Sequence, residues 1–218
     1  MDNKIYSKVF LWMFLGLAIT FGIGYGSNII LTQNKNIADM LFSGIGFWII
    51  IIAEIGLAIA LSAGLKKMNS TTVKILYILY CMITGITFSA IFMYFKMSSI
   101  IMIFLATSLI FGIFALIGSK LNVNLNKFGT FLFMALLGII IVEIINIFIK
   151  STGLEMVLSA ICIIIFTLYI GYDIKKIAAL TETDIEEDKI AVYGAFQLYL
   201  DFINIFIRLL ELFGDAKD

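Results

Sequence analysis

Residues 189–214 read KIAVYGAFQLYLDFINIFIRLLELFG. The stretch is apolar and long enough to cross a bilayer, which takes about 20 residues at about 1.5 Å rise each. It nevertheless carries Gln197, Asp201, Asn204, Arg208 and Glu211, at alternating spacings of four and three. At roughly 100° per residue, all five fall within roughly a 100° arc of one helix face. That stripe cannot face lipid, because a charge at mid-membrane costs about 2.5–3.5 kcal/mol even on the lenient insertion scale. The stretch is therefore expected in the middle of a helical bundle, with its polar side toward other helices or water. An amphipathic tail lying on the membrane surface is the other arrangement, but the polar stripe is thin for it.

Composition supports the same class. The chain has 218 residues, of which 62% are hydrophobic and 14% charged, whereas a soluble domain is about half apolar and a quarter charged. This is the make-up of an integral membrane protein. Long continuous apolar runs call for helices rather than the alternating strands of a barrel. Formal net charge is zero, so there is no basic footprint for nucleic acid. Histidine is absent, which excludes histidine-dependent catalysis and metal ligation. Proline is absent too, so helix breaks must come from glycine or polar residues. Cys81 and Cys162 lie inside hydrophobic runs without a CxxC partner and read as packing residues. The first apolar run is too long for a signal-peptide core and lacks a small-residue cleavage site.

Seven spans are expected, near 9–31, 41–65, 73–95, 100–118, 128–149, 155–172 and 190–213. Short connections leave room for a single membrane domain only. With the N-terminus in the cytoplasm, the inner segments hold ten lysines (Lys4, Lys8, Lys66, Lys67, Lys74, Lys120, Lys127, Lys175, Lys176 and Lys189) and the outer segments four (Lys35, Lys96, Lys150 and Lys217). The positive-inside rule thus predicts a cytoplasmic N-terminus. The largest connection, 174–189, contains Glu182, Asp184, Glu186, Glu187 and Asp188. It reads either as a cation-concentrating pore mouth or as a solvated loop balancing nearby lysines. It lacks the EF-hand ligand spacing.

Intramembrane ionisable groups face the protein interior and commonly mark ion paths. Glu54, Glu143, Asp173, Asp201 and Glu211 are the candidates. Should the sixth helix continue past Lys175 and Lys176, whose stems can snorkel, Asp173 lies below the interface and can meet Asp201 across adjacent antiparallel helices. Two touching carboxylates share a proton, because repulsion and desolvation oppose double ionisation. Such a pair is a pH switch without histidine. Alternatively each aspartate pairs with a cation, Asp173 with Lys176 or a lysine of the second loop, Asp201 with Arg208. Glu143 is expected to be neutralised by Lys150 or to line a cation path with Glu54. Thr84, Gly85, Thr87, Ser89 and Ala90 read as close helix packing. No phosphate-cradling loop or zinc motif occurs. An intramembrane aspartyl protease would want a glycine beside its second aspartate, where this chain reads LYLDFIN. No enzyme activity and no cofactor are expected.

Residues 199–214, YLDFINIFIRLLELFG, resemble the C-terminal signature of the transmembrane Bax inhibitor motif family. IGYD at 170–173 resembles its sixth-helix motif, and YCMITGITFSAIFMYF at 80–95 its third helix. Length and span layout match over the whole chain. The resemblance implies an all-α fold of seven transmembrane helices, with the C-terminal helix central to a bundle of six. For bacterial members it implies a pH-sensitive calcium leak in the inner membrane, with calcium as permeant ion. Asp173 and Asp201 fall on the family's paired aspartates, which are expected to sense pH and contact calcium transiently. Gln197, Asn204, Arg208 and Glu211 are expected to support the central helix. A basic residue ending the second helix is expected to engage the pair, a role open here to Lys66 or Lys67, with Lys176 as a further counter-charge. Bacterial members often have Gln soon after the sixth-helix aspartate, where this chain has Ile174, Lys175 and Lys176. Some relatives instead regulate a membrane protease and eukaryotic ones suppress cell death, so a regulator without transport is one alternative. A calcium/proton exchanger is another.

Overall fold

The computed structural model describes residues 3–65, 67–120 and 124–217. Those residues form eight helices: α1 (Asn3–Gln33), α2 (Lys35–Phe42), α3 (Gly44–Gly64), α4 (Ser70–Tyr94), α5 (Met97–Lys120), α6 (Leu125–Ile149), α7 (Thr152–Leu180) and α8 (Glu187–Phe213). All but α2 are long and apolar enough to cross a membrane, which gives the expected seven spans. The short α2 is the unforeseen element. Its residues were read as linker and as the start of the second span, but a corner at Ser43 and Gly44 separates the two helices. Gly44 has φ +59°, which glycine adopts without the Cβ clash that other residues meet.

By internal contacts the chain divides into two compact units. The first holds the described residues of 1–95, 183–199 and 216–218; the second holds 96–182 and 200–215. In the first unit α1 lies along α4, and α3 also packs on α4. Small residues make the α1–α4 approach possible. Gly16, Thr20 and Gly24 on α1, and Cys81, Gly85 and Ser89 on α4, are all buried and recur every four residues. A Cβ on Gly85 would sit 2.8 Å from Ile23 Cβ and 3.0 Å from the Thr20 carbonyl. Close backbone approach through small residues is how membrane helices gain contact when lipid removes the hydrophobic drive. Tyr77 Oη donates to the Trp12 carbonyl at 2.9 Å and fixes the register of the pair.

In the second unit α7 packs against both α5 and α6. Gly118 and Gly171 meet so closely that a Cβ on Gly118 would lie 2.4 Å from Gly171 Cα. Ile139, Cys162 and Ile165 form the core between α6 and α7. Phe202, in the second half of α8, takes edge-on contacts from Phe104 and Phe111.

Two span boundaries differ from expectation and bear on the site. The sixth span was expected to stop near residue 172, yet α7 runs to Leu180. Ile170, Ile174 and Ile177 are buried and keep one apolar face going through the Lys175–Lys176 pair, and no glycine or proline stops the helix. The connection to α8 therefore shrinks to residues 181–186, with Glu187 and Asp188 in the first turn of α8. Acidic groups there complement the positive helix N-terminus. Of the seven spans α8 is the most enclosed: 78% of its most apolar window is buried, against 11–44% for the others. Enclosure is what its polar stripe requires.

Candidate functional site: a buried carboxyl pair

Because α7 continues to Leu180, Asp173 stands seven residues inside its end, about 10 Å along the axis. Asp201 stands fourteen residues into α8, about 21 Å from its start. Both residues belong to the second unit, and each is only 3% exposed. Their carboxyl groups lie close enough to interact directly. Ionised carboxylates only accept, so a hydrogen bond between them requires that the pair hold a proton. Lys176 is the cation whose charge reaches both aspartates, and its ammonium sits 5.6 Å from the centre of the Tyr172 ring. Asp201 Oδ2 is buried and finds no hydrogen-bond partner among the described residues. A buried carboxyl oxygen without a donor is a free acceptor.

Arg208 does not neutralise Asp201. One of its nitrogens bonds Glu143 and the other bonds Glu211 at 2.9 Å. Glu211 also accepts from Ser159 Oγ of α7 at 2.7 Å. The expected Glu143–Lys150 pairing is corrected accordingly: seven residues put Lys150 past the end of α6, whereas Arg208 reaches Glu143 directly. Asn204 turns its amide to the Leu200 carbonyl of its own helix at 2.7 Å. Gln197, on the first-unit half of α8, leaves Nε2 buried without a hydrogen bond among the described residues. Glu54 sits in the first unit and accepts from Thr87 Oγ1 at 3.0 Å. Lys66 lies outside the described residues, and Lys67 is an exposed residue of the first unit.

The acidic connection divides. Glu187 and Asp188 are helix residues that balance lysines, as one of its two readings had it. Asp188 pairs with Lys8 at 3.1 Å and with Lys74 at 3.0 Å, and Glu187 with Lys8 at 3.4 Å. Sequence reasoning did not find this cluster, because its three elements lie far apart in the chain. It also missed the bond between Thr20 Oγ1 and Tyr199 Oη at 2.6 Å. The small-residue spacing around Thr20 was the available signal for it.

Comparison with known proteins follows these observations. A family model described as "Inhibitor of apoptosis-promoting Bax1" matches residues 2–218. The chain belongs to the Bax inhibitor-1 family. Among its relatives, the inner membrane protein YbhL of Escherichia coli (strain K12) is 35% identical over 218 residues, covering 97% of this chain and 91% of YbhL. An uncharacterized protein of Borreliella burgdorferi is 35% identical over 222 residues, covering 99% of this chain and 94% of its own. An uncharacterized membrane protein of Streptococcus pyogenes is 27% identical over 216 residues, covering 97% and 93%. Family membership and the seven apolar helices agree: this is a multi-pass membrane protein of the Bax inhibitor-1 family.

Proposed function

We propose that the protein is a pH-sensitive calcium leak of a bacterial inner membrane, with its N-terminus in the cytoplasm and α8 at the centre of the helices. The proton shared by Asp173 and Asp201 is its switch. The observation that carries this reading is the buried carboxyl pair joining α7 to the second half of α8. While the proton is present, the bond ties the two helices. When it leaves, two buried negative charges repel in a low-dielectric site and the helices separate. Lys176 moderates that repulsion without cancelling it, being one charge against two.

Calcium takes about six to eight oxygen ligands, and two aspartates supply at most about four of them even when both oxygens of each bind. Among the described residues no group of three or more histidine, cysteine, aspartate or glutamate side chains is gathered to hold a metal. The pair therefore serves an ion in passage rather than a resident one. Glu54, held by Thr87, is a further carboxylate available to that ion. No catalytic role and no cofactor enter this reading.

Purified protein in liposomes loaded with a calcium dye tests it between pH 5 and 8. Wild type is expected to leak with a single pH midpoint, and Asp201→Asn to lose or displace that midpoint. Absence of flux at every pH would point instead to a regulatory partner of another membrane protein, such as a protease. Flux that stops when the proton gradient is collapsed would point to calcium/proton exchange.

A further inference from the structure

A second polar feature of the second unit takes no part in the carboxyl pair. A cavity of about 540 Å³ is lined by Glu143, Asn146, Lys150, Thr152, Glu155 and Arg208, with Ile147 and Leu158. It opens where α6 passes into α7. Asp173 lies twenty-one residues along α7 from Thr152, about 31 Å away at helical rise, so the cavity and the pair occupy opposite ends of that helix. From the end of α6 the cavity reaches inward to Glu143, six residues or about 9 Å along the axis.

Arg208 and Glu143 lie within apolar spans, yet their side chains keep 20% and 32% exposure. Charged groups so placed must be wetted, because contact with lipid is costly, and the cavity they line supplies the water. Its lining holds two carboxylates, Glu143 and Glu155, and two cations, Arg208 and Lys150, and one of those cations is bound by a third carboxylate outside the lining, Glu211. The guanidinium is also doubly held, bonding Glu143 through one nitrogen and Glu211 through the other. Glu211 is fixed in turn by Ser159. Arg208 can thus release Glu143 and remain paired with Glu211, which leaves Glu143 and Glu155 facing Lys150 alone in a wet cavity. A hard divalent cation that keeps most of its own waters suits such a place.

We propose that this cavity is the mouth through which the permeant cation enters, and that the Glu143–Arg208 ion pair is its plug, opened when a divalent cation takes Glu143 and Arg208 falls back on Glu211. The inference deepens the calcium-leak reading and rests on it.

Two measurements test it separately. With the native Cys81 and Cys162 buried, Asn146→Cys is exposed to cationic and anionic membrane-impermeant methanethiosulfonates, with and without millimolar calcium. The cationic reagent is expected to react about tenfold faster, and calcium to slow it severalfold. No reaction with either reagent, or equal rates without calcium protection, overturns the mouth. In liposomes, Arg208→Gln is expected to raise calcium flux severalfold and Glu143→Gln to lower it, both leaving the pH midpoint in place. Should Arg208→Gln fail to fold, Glu143→Gln alone carries the test, since it keeps the shape of the site. Protection by calcium together with no wild-type flux at any pH defeats the leak reading and the plug with it, leaving a cation site. Wild-type flux that follows pH but is unmoved by either substitution defeats the plug and leaves the leak reading standing.

Discussion

Lys150 shows how one residue can carry both backbone strain and charge. It closes α6 with φ 54° and ψ 41°, its N–H bonded to the Asn146 carbonyl. Left-handed backbone costs a non-glycine residue roughly 1–2 kcal/mol, and helix ends of this kind ordinarily use glycine. Lys150→Gly should therefore raise stability by up to about 1 kcal/mol, part of the relief being offset by the freer unfolded chain, as read by unfolding in mixed detergent. Thr20 makes two bonds, donating to the Cys81 carbonyl at 3.1 Å and sharing a hydrogen with Tyr199 at 2.6 Å. Hydrogen bonds between membrane helices average about 0.6 kcal/mol. Tyr199→Phe should thus cost roughly 0.5–1.5 kcal/mol, Thr20→Val more than that, and a double-mutant cycle should return a coupling near about 0.6 kcal/mol.

Among the elements, α7 decides most. Its extension past the lysine pair encloses Asp173, and its glycine seam lets α5 approach. The atoms opposing a Cβ at Gly118 are backbone atoms of Gly171, which cannot swing aside as a side chain would. Gly118→Ala should therefore push α5 and α7 apart at a cost of about 1–3 kcal/mol or more, seen as a lowered unfolding temperature in detergent. Gly129→Ala meets only the end of the Tyr172 side chain, and its effect should be clearly smaller. The expected span ending near residue 172 lies just ahead of Lys175 and Lys176. Their long stems and the buried isoleucines beside them outweigh the lysines' charge, a balance set by what packs against the helix.

Across the whole molecule, the distribution of lysines predicts which side of the membrane each connection occupies. Asn36 and Glu182 are exposed and fall on opposite sides under the positive-inside rule. The native Cys81 and Cys162 are buried and leave a clean background. In intact cells an impermeant thiol reagent should label Asn36→Cys, and should reach Glu182→Cys only after permeabilisation. The reverse pattern would invert the orientation and place the Glu143 cavity on the cytoplasmic side. The two polar centres of the second unit, at opposite ends of α7, would then exchange sides together.

The spans, their number and the polar face of α8 were legible in the chain itself, because the bilayer imposes length, apolarity and internal hydrogen bonding on each helix one at a time. Membership of the family was legible in YLDFINIFIRLLELFG and IGYD for a related reason, since both are unbroken local strings. Which charges meet was decided only by tertiary structure. Asp173 meets Asp201 while staying under the charge of Lys176. Glu143 passed over Lys150 for Arg208, and Asp188 gathered Lys8 and Lys74. Pairing across helices depends on rotation and axial register. Those are set by glycine seams such as Gly118–Gly171 and Gly24–Gly85, whose partners lie in other parts of the chain.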